Sequence, residues 1–540
     1  MSAAGAVDDR GPRPRLQAAA NGATNPWLIA VLVALAVFME VLDTTVANVV
    51  LPYIGGDMGV SSDEASWVVT TYLVANAVSL TASPFFARRL GRKAFFLGCL
   101  GLFTLSSILC AEAWSLQSLL TFRILQGLAG GGMVPVSQSI LADSFPPEKR
   151  GQAFALFGVA VVVAPVVGPT LGGWLADNLS WRWCFQINGP VGVVTMALIA
   201  FILRESQASI EERERMLRQG GGFDFVGFVL VATFLGALEM MLDRGLEDDW
   251  FASSFIATVA LVCALAFALM IPWEMSRRDP MIDVRLVGTR QFGAAFVVML
   301  AIGAILYATT QFLPELVQQM FGYTATWAGL VLSPGGLVTM TMMFVVGTLS
   351  TRIQPKYLIV AGALITAFSM HQLTGVYGDL DFWFFARSRM ILGLGLPLIF
   401  LPIMAASYDG LPPGKTDMAS ALINAARNTG GSIGVSLASN ILAHREQFHQ
   451  SRLADHVPPS SPQYQETLQS VTQYFSAHGY ALAEAQKRAF AWIAGQAQTQ
   501  AAFLAYVDVF WVLMLLALLA VPLALALRRV KLGGAPAAMH

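Results

Sequence analysis

The chain has 540 residues; 56% are apolar, 12% are charged, and the mean hydropathy is +0.61. Soluble chains carry about 25% charged residues, so this composition excludes a soluble catalytic domain. The net charge of −1 points to no class of partner, and no nucleic acid is expected.

Residues 1–26 are polar, Ala-rich and Pro-containing, which predicts a disordered tail. They are not a secretory signal, because the first apolar run begins at Trp27 and is too long for a signal core. Apolar stretches then recur near 27–51, 63–86, 94–112, 115–141, 151–176, 184–203, 223–243, 251–272, 292–320, 324–350, 357–376, 382–408, 416–443 and 501–527. Each is close to the ~20 residues that cross a bilayer as a helix. Backbone groups in lipid must bond within a helix or a closed barrel, and these runs are too long and too apolar for barrel strands. The fold class is therefore all-α integral membrane, with fourteen spans. The four cysteines, Cys99, Cys110, Cys184 and Cys263, fall in or beside apolar segments and read as small core residues, not disulfides.

An even number of spans puts both termini on one side. With the termini in the cytoplasm, 23 of the 33 lysines and arginines lie on that side, six lie outside, and Arg123, Arg387, Arg389 and Arg427 fall within or at the edge of spans. That bias predicts cytoplasmic termini. Two features break the rhythm of short loops. A charged cytoplasmic stretch runs from Arg204 to Gly222, and a polar outer segment runs from about Arg445 to Gln500. The outer segment has apolar residues at helical spacing (Leu468, Val471, Tyr474, Phe475) and a second helix-like stretch, Ala481 to Ile493. Loops this long usually have a function or are disordered.

An internal repeat is visible. Arg123 precedes Gly127 by four residues in the fourth span, as Arg389 precedes Gly393 in the twelfth; each Arg lies 26 residues before a basic residue, Lys149 or Lys415. Repeated halves are common in secondary transporters.

Nucleotide-driven and enzymatic classes find no support. Gly414-Lys415-Thr416 looks like the end of a phosphate loop, but the required first glycine is Asp409 and no strand precedes it. No zinc-protease, serine-hydrolase or kinase signature is present. His444, His449 and His456 match no metal spacing, so neither a metal nor another cofactor is expected.

Ionisable residues inside spans are the informative ones, because charge at that depth is costly and usually faces a cavity or a partner. Glu40 and Asp43 lie deep in the first span, three apart and on one face. A carboxyl that is neutral when shielded and ionised when wet can carry a proton; the alternative is a locked structural acid. Arg123 either pairs with one of them or pins the fourth span. Asp508, in the last span, is a weaker candidate near the outer interface. The fifth span holds Pro165 and Gly168-Pro169-Thr170-Leu171-Gly172-Gly173, where small residues permit close approach and proline weakens the helix. Met340, Met342 and Met343, with Tyr307 and Gln311, would give an adaptable substrate cavity; a lipid- or bundle-facing placement is the equal alternative. Asn48, Gln126 and Arg427 are further candidates for that cavity.

These residues carry a family resemblance. Arg123 with Gln126-Gly127 resembles the fourth-helix motif of the major facilitator superfamily, and Gly168 to Gly173 its fifth-helix antiporter motif, which marks exporters. Leu42-Asp43-Thr44-Thr45-Val46-Ala47-Asn48-Val49-Val50-Leu51-Pro52 is similar to the first-helix signature of its fourteen-span drug:proton antiporters, and Trp181-Arg182-Trp183-Cys184-Phe185-Gln186-Ile187-Asn188-Gly189-Pro190 to their sixth-helix entry. With the long outer loop, the chain resembles the EmrB branch of the EmrB/QacA group from about Trp27 to Arg529. The loop between spans two and three keeps Gly91-Arg92-Lys93 but has Pro84 and Arg88 where the superfamily usually has Gly and Asp.

The resemblance implies a major facilitator fold: a six-helix bundle at 27–203, a linker with two extra transmembrane helices at 204–291, a second bundle at 292–529 that includes loop 445–500, and a tail at 530–540. It implies proton-coupled export of drugs from a bacterial inner membrane, with a periplasmic adaptor and an outer-membrane channel as partners. Asp43, with Glu40, would be the proton site and Arg123 its modulator. Gly91, Arg92, Lys93, Gly127, Pro165, Gly168, Pro169, Gly172 and Gly173 would serve gating and structure. An uptake symporter of the same fold is the alternative, and the Gly-Pro motif argues against it. A membrane enzyme or receptor would need clustered site residues at one interface, and none is apparent.

Overall fold

The computed structural model describes residues 25–529, apart from 206, 219–221, 278–279, 351, 409–410, 412–414 and 457. The expected tail at 530–540, and all but the last two residues of the one at 1–26, lie outside the described residues.

The first half comprises α1 (Pro26–Met58), α2 (Ser62–Leu90), α3 (Arg92–Ala111), α4 (Leu116–Ser144), α5 (Pro147–Asn178), the short α6 (Trp183–Gln186) and α7 (Asn188–Ile202). A linker helix α8 (Gln207–Arg218) leads to the pair α9 (Phe225–Arg244) and α10 (Ser254–Ser276). After the short α11 (Val284–Val287), the second half runs through α12 (Arg290–Phe321), α13 (Ala325–Leu349), α14 (Pro355–Leu373), α15 (Phe382–Ser407), α16 (Thr416–His456), α17 (Pro462–Ala477) and α18 (Leu482–Leu525). No strand occurs among the described residues. Helix starts follow local chemistry. Asn25 caps α1, Ser61 and Glu64 form a capping box on α2, and Ser115 and Ser118 form one on α4. Gly59 ends α1 at φ 66°, where a glycine is unstrained.

Helix is found at every expected span, but fewer than fourteen of these segments are apolar enough to cross a membrane. Eleven qualify among the described residues, and twelve if α5, bent by 43° between Pro165 and Val167, is one span. The two left out are α14, which carries Lys356, His371 and Gln372 in 19 residues, and α16, which carries Asn424, Arg427 and Asn428. The sixth span is broken at Ile187 into α6 and α7.

The expected loop 445–500 is mostly helix. At 41 and 44 residues, α16 and α18 reach about 60 Å, twice the ~30 Å of a bilayer core. Their far ends project with α17 as a three-helix unit in which Leu468, Ala485 and Ala489 are buried. Asp508 closes the base of this unit, accepting from Arg445 Nε at 2.5 Å and lying 2.8 Å from His449 Nε2. It is a staple between α16 and α18.

Glycine sets the packing within each half. A side chain at Gly127 or Gly131 would strike α2 backbone, and one at Gly393 would strike Gly335 of α13. The repeat seen in sequence is thus a repeated helix contact, α4 on α2 and α15 on α13. The halves meet along two lines. On one, α5 lies on α13 through Gly151 against Gly347, Gly158 against Met343, and Thr170 against Gly329. On the other, α16 lies against α2 and α4. At the end away from α17, Ser420 and Asn424 of α16 donate to Gln138 of α4 at 2.5 and 2.9 Å, and Phe154 stacks on Tyr408. Helix α9 covers the α2–α16 line, and α10 packs on α9.

Candidate functional site

The centre of the first half is a buried ion pair. Arg123 Nη1 of α4 lies 2.6 Å from Asp43 Oδ2 of α1, and both side chains are fully shielded. Asp43 Oδ1 accepts from Gln126 Nε2 at 2.9 Å and from Asn188 Nδ2 at 2.8 Å. Asn188 also reaches Ser107 Oγ at 2.9 Å. Arg123 further donates to Gln126 Oε1 at 2.8 Å and to the Val68 carbonyl at 3.0 Å, with its guanidinium 4.2 Å over the Tyr72 ring. One carboxylate thus gathers α1, α4 and α7, and its arginine adds α2. A buried pair of this kind is held by hydrogen bonds to its remaining lone pairs and protons; both oxygens of Asp43 have partners, whereas Arg123 Nη2 is buried without one.

Glu40 sits one turn away and does not meet Arg123. Its Oε1 accepts from Asn76 Nδ2 at 3.0 Å, while Oε2 is buried without a partner, as is the nearby Tyr72 hydroxyl. Across the seam, Arg427 of α16 is close enough for its charge to act on Glu40. Arg427 is 3% exposed, is held by Asn428 Oδ1, and has Nη1 without a partner. Tyr307 packs on Gly431 beside it. Glu40, Arg427 and Tyr307 therefore share one region between the halves.

The fifth-helix motif rests on the turn of α1 that carries Asp43. A side chain at Gly168 would strike Thr45, and one at Gly172 would strike Val46. Gly173 is buried, and Pro165 and Pro169 flank the bend of α5. At the α2–α3 turn, Gly91 has φ 91° and no room for a side chain beside Glu205; Arg92 pairs with Asp143, and Lys93 donates to the Ala200 carbonyl at 2.7 Å.

The remaining cavity candidates are scattered. Met343 is fully buried against Gly158 and Phe400, so it fills the α5–α13 contact and lines no open surface. Met342 is half-buried, whereas Asn48, Gln311 and Met340 are exposed. Gln126 belongs to the ion pair.

The second half repeats the arginine without the acid. Arg389 Nη1 donates to Thr309 Oγ1 at 3.2 Å, and these two are 80 residues apart, as Arg123 and Asp43 are. Thr309 stands where symmetry would place an aspartate.

Asn76, Tyr72 and Ser107 escaped the sequence reading, as did two acids of α9: Glu239, which accepts from Ser432 of α16, and Asp243, which accepts from Thr70 of α2. Glu239 and Asp243 had a usable signal, acids late in the apolar run of α9. Asn188 was read only as part of a motif.

Comparison with known proteins agrees with this architecture. The Major Facilitator Superfamily pattern matches residues 33–435. The chain is 34% identical over 485 residues to the multidrug export protein EmrB of Haemophilus influenzae, covering 90% of this chain and 92% of that protein. It is 36% identical to the fatty acid resistance protein FarB of Neisseria gonorrhoeae, over 86% and 89% of the two chains. Among solved structures, the proton:xylose symporter XylE superposes with a TM-score of 0.57 at 14% identity, over 92% of this chain and 96% of that one, which shows the shared fold. The chain belongs to the major facilitator superfamily, among its EmrB-type members.

Proposed function

We propose that this protein is a proton-coupled multidrug efflux transporter, exchanging amphipathic or hydrophobic toxic compounds for protons by alternating access. The names of its EmrB-type relatives support multidrug efflux. The observation that supports proton coupling is the buried pair of Asp43 and Arg123, set against the α5 glycines. Protonating Asp43 would remove one of two facing charges and loosen α1 from α4 at the turn where α5 bends. Small movements there can be amplified because packed interfaces have discrete arrangements. No cofactor is needed, since the proton gradient supplies the energy. The test is proton release on substrate addition in proteoliposomes with an imposed pH gradient. Transport that runs at one rate with and without the gradient overturns the coupling.

The charge bias supports fourteen crossings of a bacterial inner membrane, with both termini cytoplasmic. The unit formed by α17 and the ends of α16 and α18 then lies in the periplasm. It exposes Phe448, Tyr474, Leu482, Phe490 and Trp492, more apolar surface than a solvated loop needs. We assign it to docking a periplasmic adaptor that leads to an outer-membrane channel. Ser460→Cys should react with an impermeant thiol reagent in intact cells, and protection there would reverse the orientation. Deleting residues 460–479 should spare expression and weaken co-purification with the adaptor; undiminished co-purification would refute the docking role.

A further inference from the structure

The helix α9 grips both halves of the transporter, and it does so unequally. Toward the first half it is bound along its length to α2. Phe223, just before α9, packs edge-on against Phe85 at 4.9 Å. Gly236 lies against Val74 and Val78, Asp243 accepts from Thr70, and Arg244 Nη1 donates to Ser66 Oγ at 2.6 Å while stacking over Trp67. Toward the second half, two side-chain bonds reach α16. Ser432 Oγ donates to Glu239 Oε1 at 2.5 Å, and Trp250 Nε1 donates to Asn440 Oδ1 at 2.6 Å.

Both grips on α16 are built at a cost. Glu239 is a carboxyl 6% exposed in the middle of an apolar helix face. Trp250 is carried on a turn in which Asp249 and Trp250 have φ of 56° and 48°. Two consecutive non-glycine residues in the left-handed region are unfavourable, and such strain persists where the surroundings impose it, often at functional positions. The turn aims the indole at Asn440.

We propose that α9 is a clasp: it rides with the first half and holds the periplasmic end of α16, so that outward opening requires Glu239 and Trp250 to let go. Glu239 and Trp250 are then positioning residues for the transport cycle. The physical reason is the asymmetry of attachment, since separation of the halves breaks the line with fewer bonds. The inference rests on the helix packing and on the proposed orientation, and it is independent of which residue carries the proton.

The test is pulsed electron paramagnetic resonance on the full-length transporter in nanodiscs, with no substrate or gradient. Spin labels go at Gly56→Cys and Gly378→Cys, two open positions at the periplasmic ends of the two halves, with the four buried native cysteines replaced by alanine. The pair Ser432→Ala and Asn440→Ala removes both grips without touching the buried acid. It should raise the long-distance population by about tenfold, the shift expected on losing two hydrogen bonds. Glu239→Leu should act in the same direction. Glu239→Gln, which still accepts from Ser432, should keep the parent distribution, a rescue that a merely volume-filling role would not distinguish from Leu. A second label pair fixes the side to which the clasp belongs. On opening, Gly56→Cys with Ala252→Cys should hold its distance, while Gly378→Cys with Ala252→Cys should lengthen. An unchanged distribution in the Ser432 and Asn440 variant, or a lengthening on the Gly56 side, overturns the proposal.

Discussion

Asp43→Asn is expected to release no protons when substrate is added to proteoliposomes under a pH gradient, and to accumulate no substrate against its own gradient. The expectation follows from the surroundings of the carboxylate. Oδ1 receives two amide N–H groups and Oδ2 the guanidinium, so the site is built around an anion. Asparagine has nearly the same shape but cannot titrate, so the charge of α1 no longer changes during the cycle. Passive exchange of substrate should survive, because the seam between the halves is untouched. Asp43→Glu should keep partial activity, since the titrating group remains and moves by about one methylene. Glu40→Gln should do less harm, because Glu40 has a single hydrogen bond, to Asn76, and no ion pair. Wild-type pumping by Asp43→Asn would make Asp43 a structural acid and move the coupling to Glu40.

The second large effect is on stability. Arg123→Ala is expected to lower the stability of the first half by about 3–5 kcal/mol, because it strands a buried carboxylate with only amide donors. The guanidinium also supplies packing, lying between the rings of Tyr72 and Phe185 at 4.2 and 5.5 Å. Asp43→Asn should cost less, since Arg123 keeps the Val68 carbonyl, Gln126 and the two rings. Asp43→Asn combined with Arg123→Gln removes both charges together and should recover much of the loss, as replacing a buried pair by neutral groups often does. Thermal unfolding in detergent reads all three, and the double variant should remain inactive in proton exchange despite its recovered melting temperature. If Arg123→Ala melts with the wild type, the pair carries no stability and the bundle is held by its glycine contacts alone.

Composition and hydropathy alone are enough to establish an all-helical membrane protein and to place its helices. Apolar runs of bilayer length leave helix as the only solution, and helix is found at each of them. Arg123, Asp43 and the glycines of α5 were legible for the same reason: charge and backbone-exposing residues are costly in a membrane and so stand out against leucine and valine. The EmrB-type kinship was legible in the same motifs. Helical spacing at Leu468 to Phe475 announces order in the polar segment 445–500, but nothing in its pattern shows that the two adjoining helices continue into it. Polar residues mask helix continuity once the chain leaves lipid, and α16 and α18 run straight on.

Which side chains become partners depends on how the helices pack. Glu40 and Asp43 lie on one face of α1, and nothing in their spacing chooses which meets Arg123. The choice depends on how α1 is rotated, and that is set by Thr45 and Val46 fitting Gly168 and Gly172. Asn188 joins the pair from a helix 145 residues away. The repeat of Arg123 in Arg389 was visible, but the replacement of its acid by Thr309 was not, because helix partners are found by packing and not by sequence pattern. Met343 reads equally as cavity surface or as bundle packing in sequence, and it is buried against Gly158, since a methionine fills whatever gap a facing glycine leaves. The family resemblance implies the extra helices only as a linker between the bundles. Their role as a bridge needed the positions of Ser432 and Asn440 on α16, two neighbours that only the folded chain brings to α9 and to the turn that follows it.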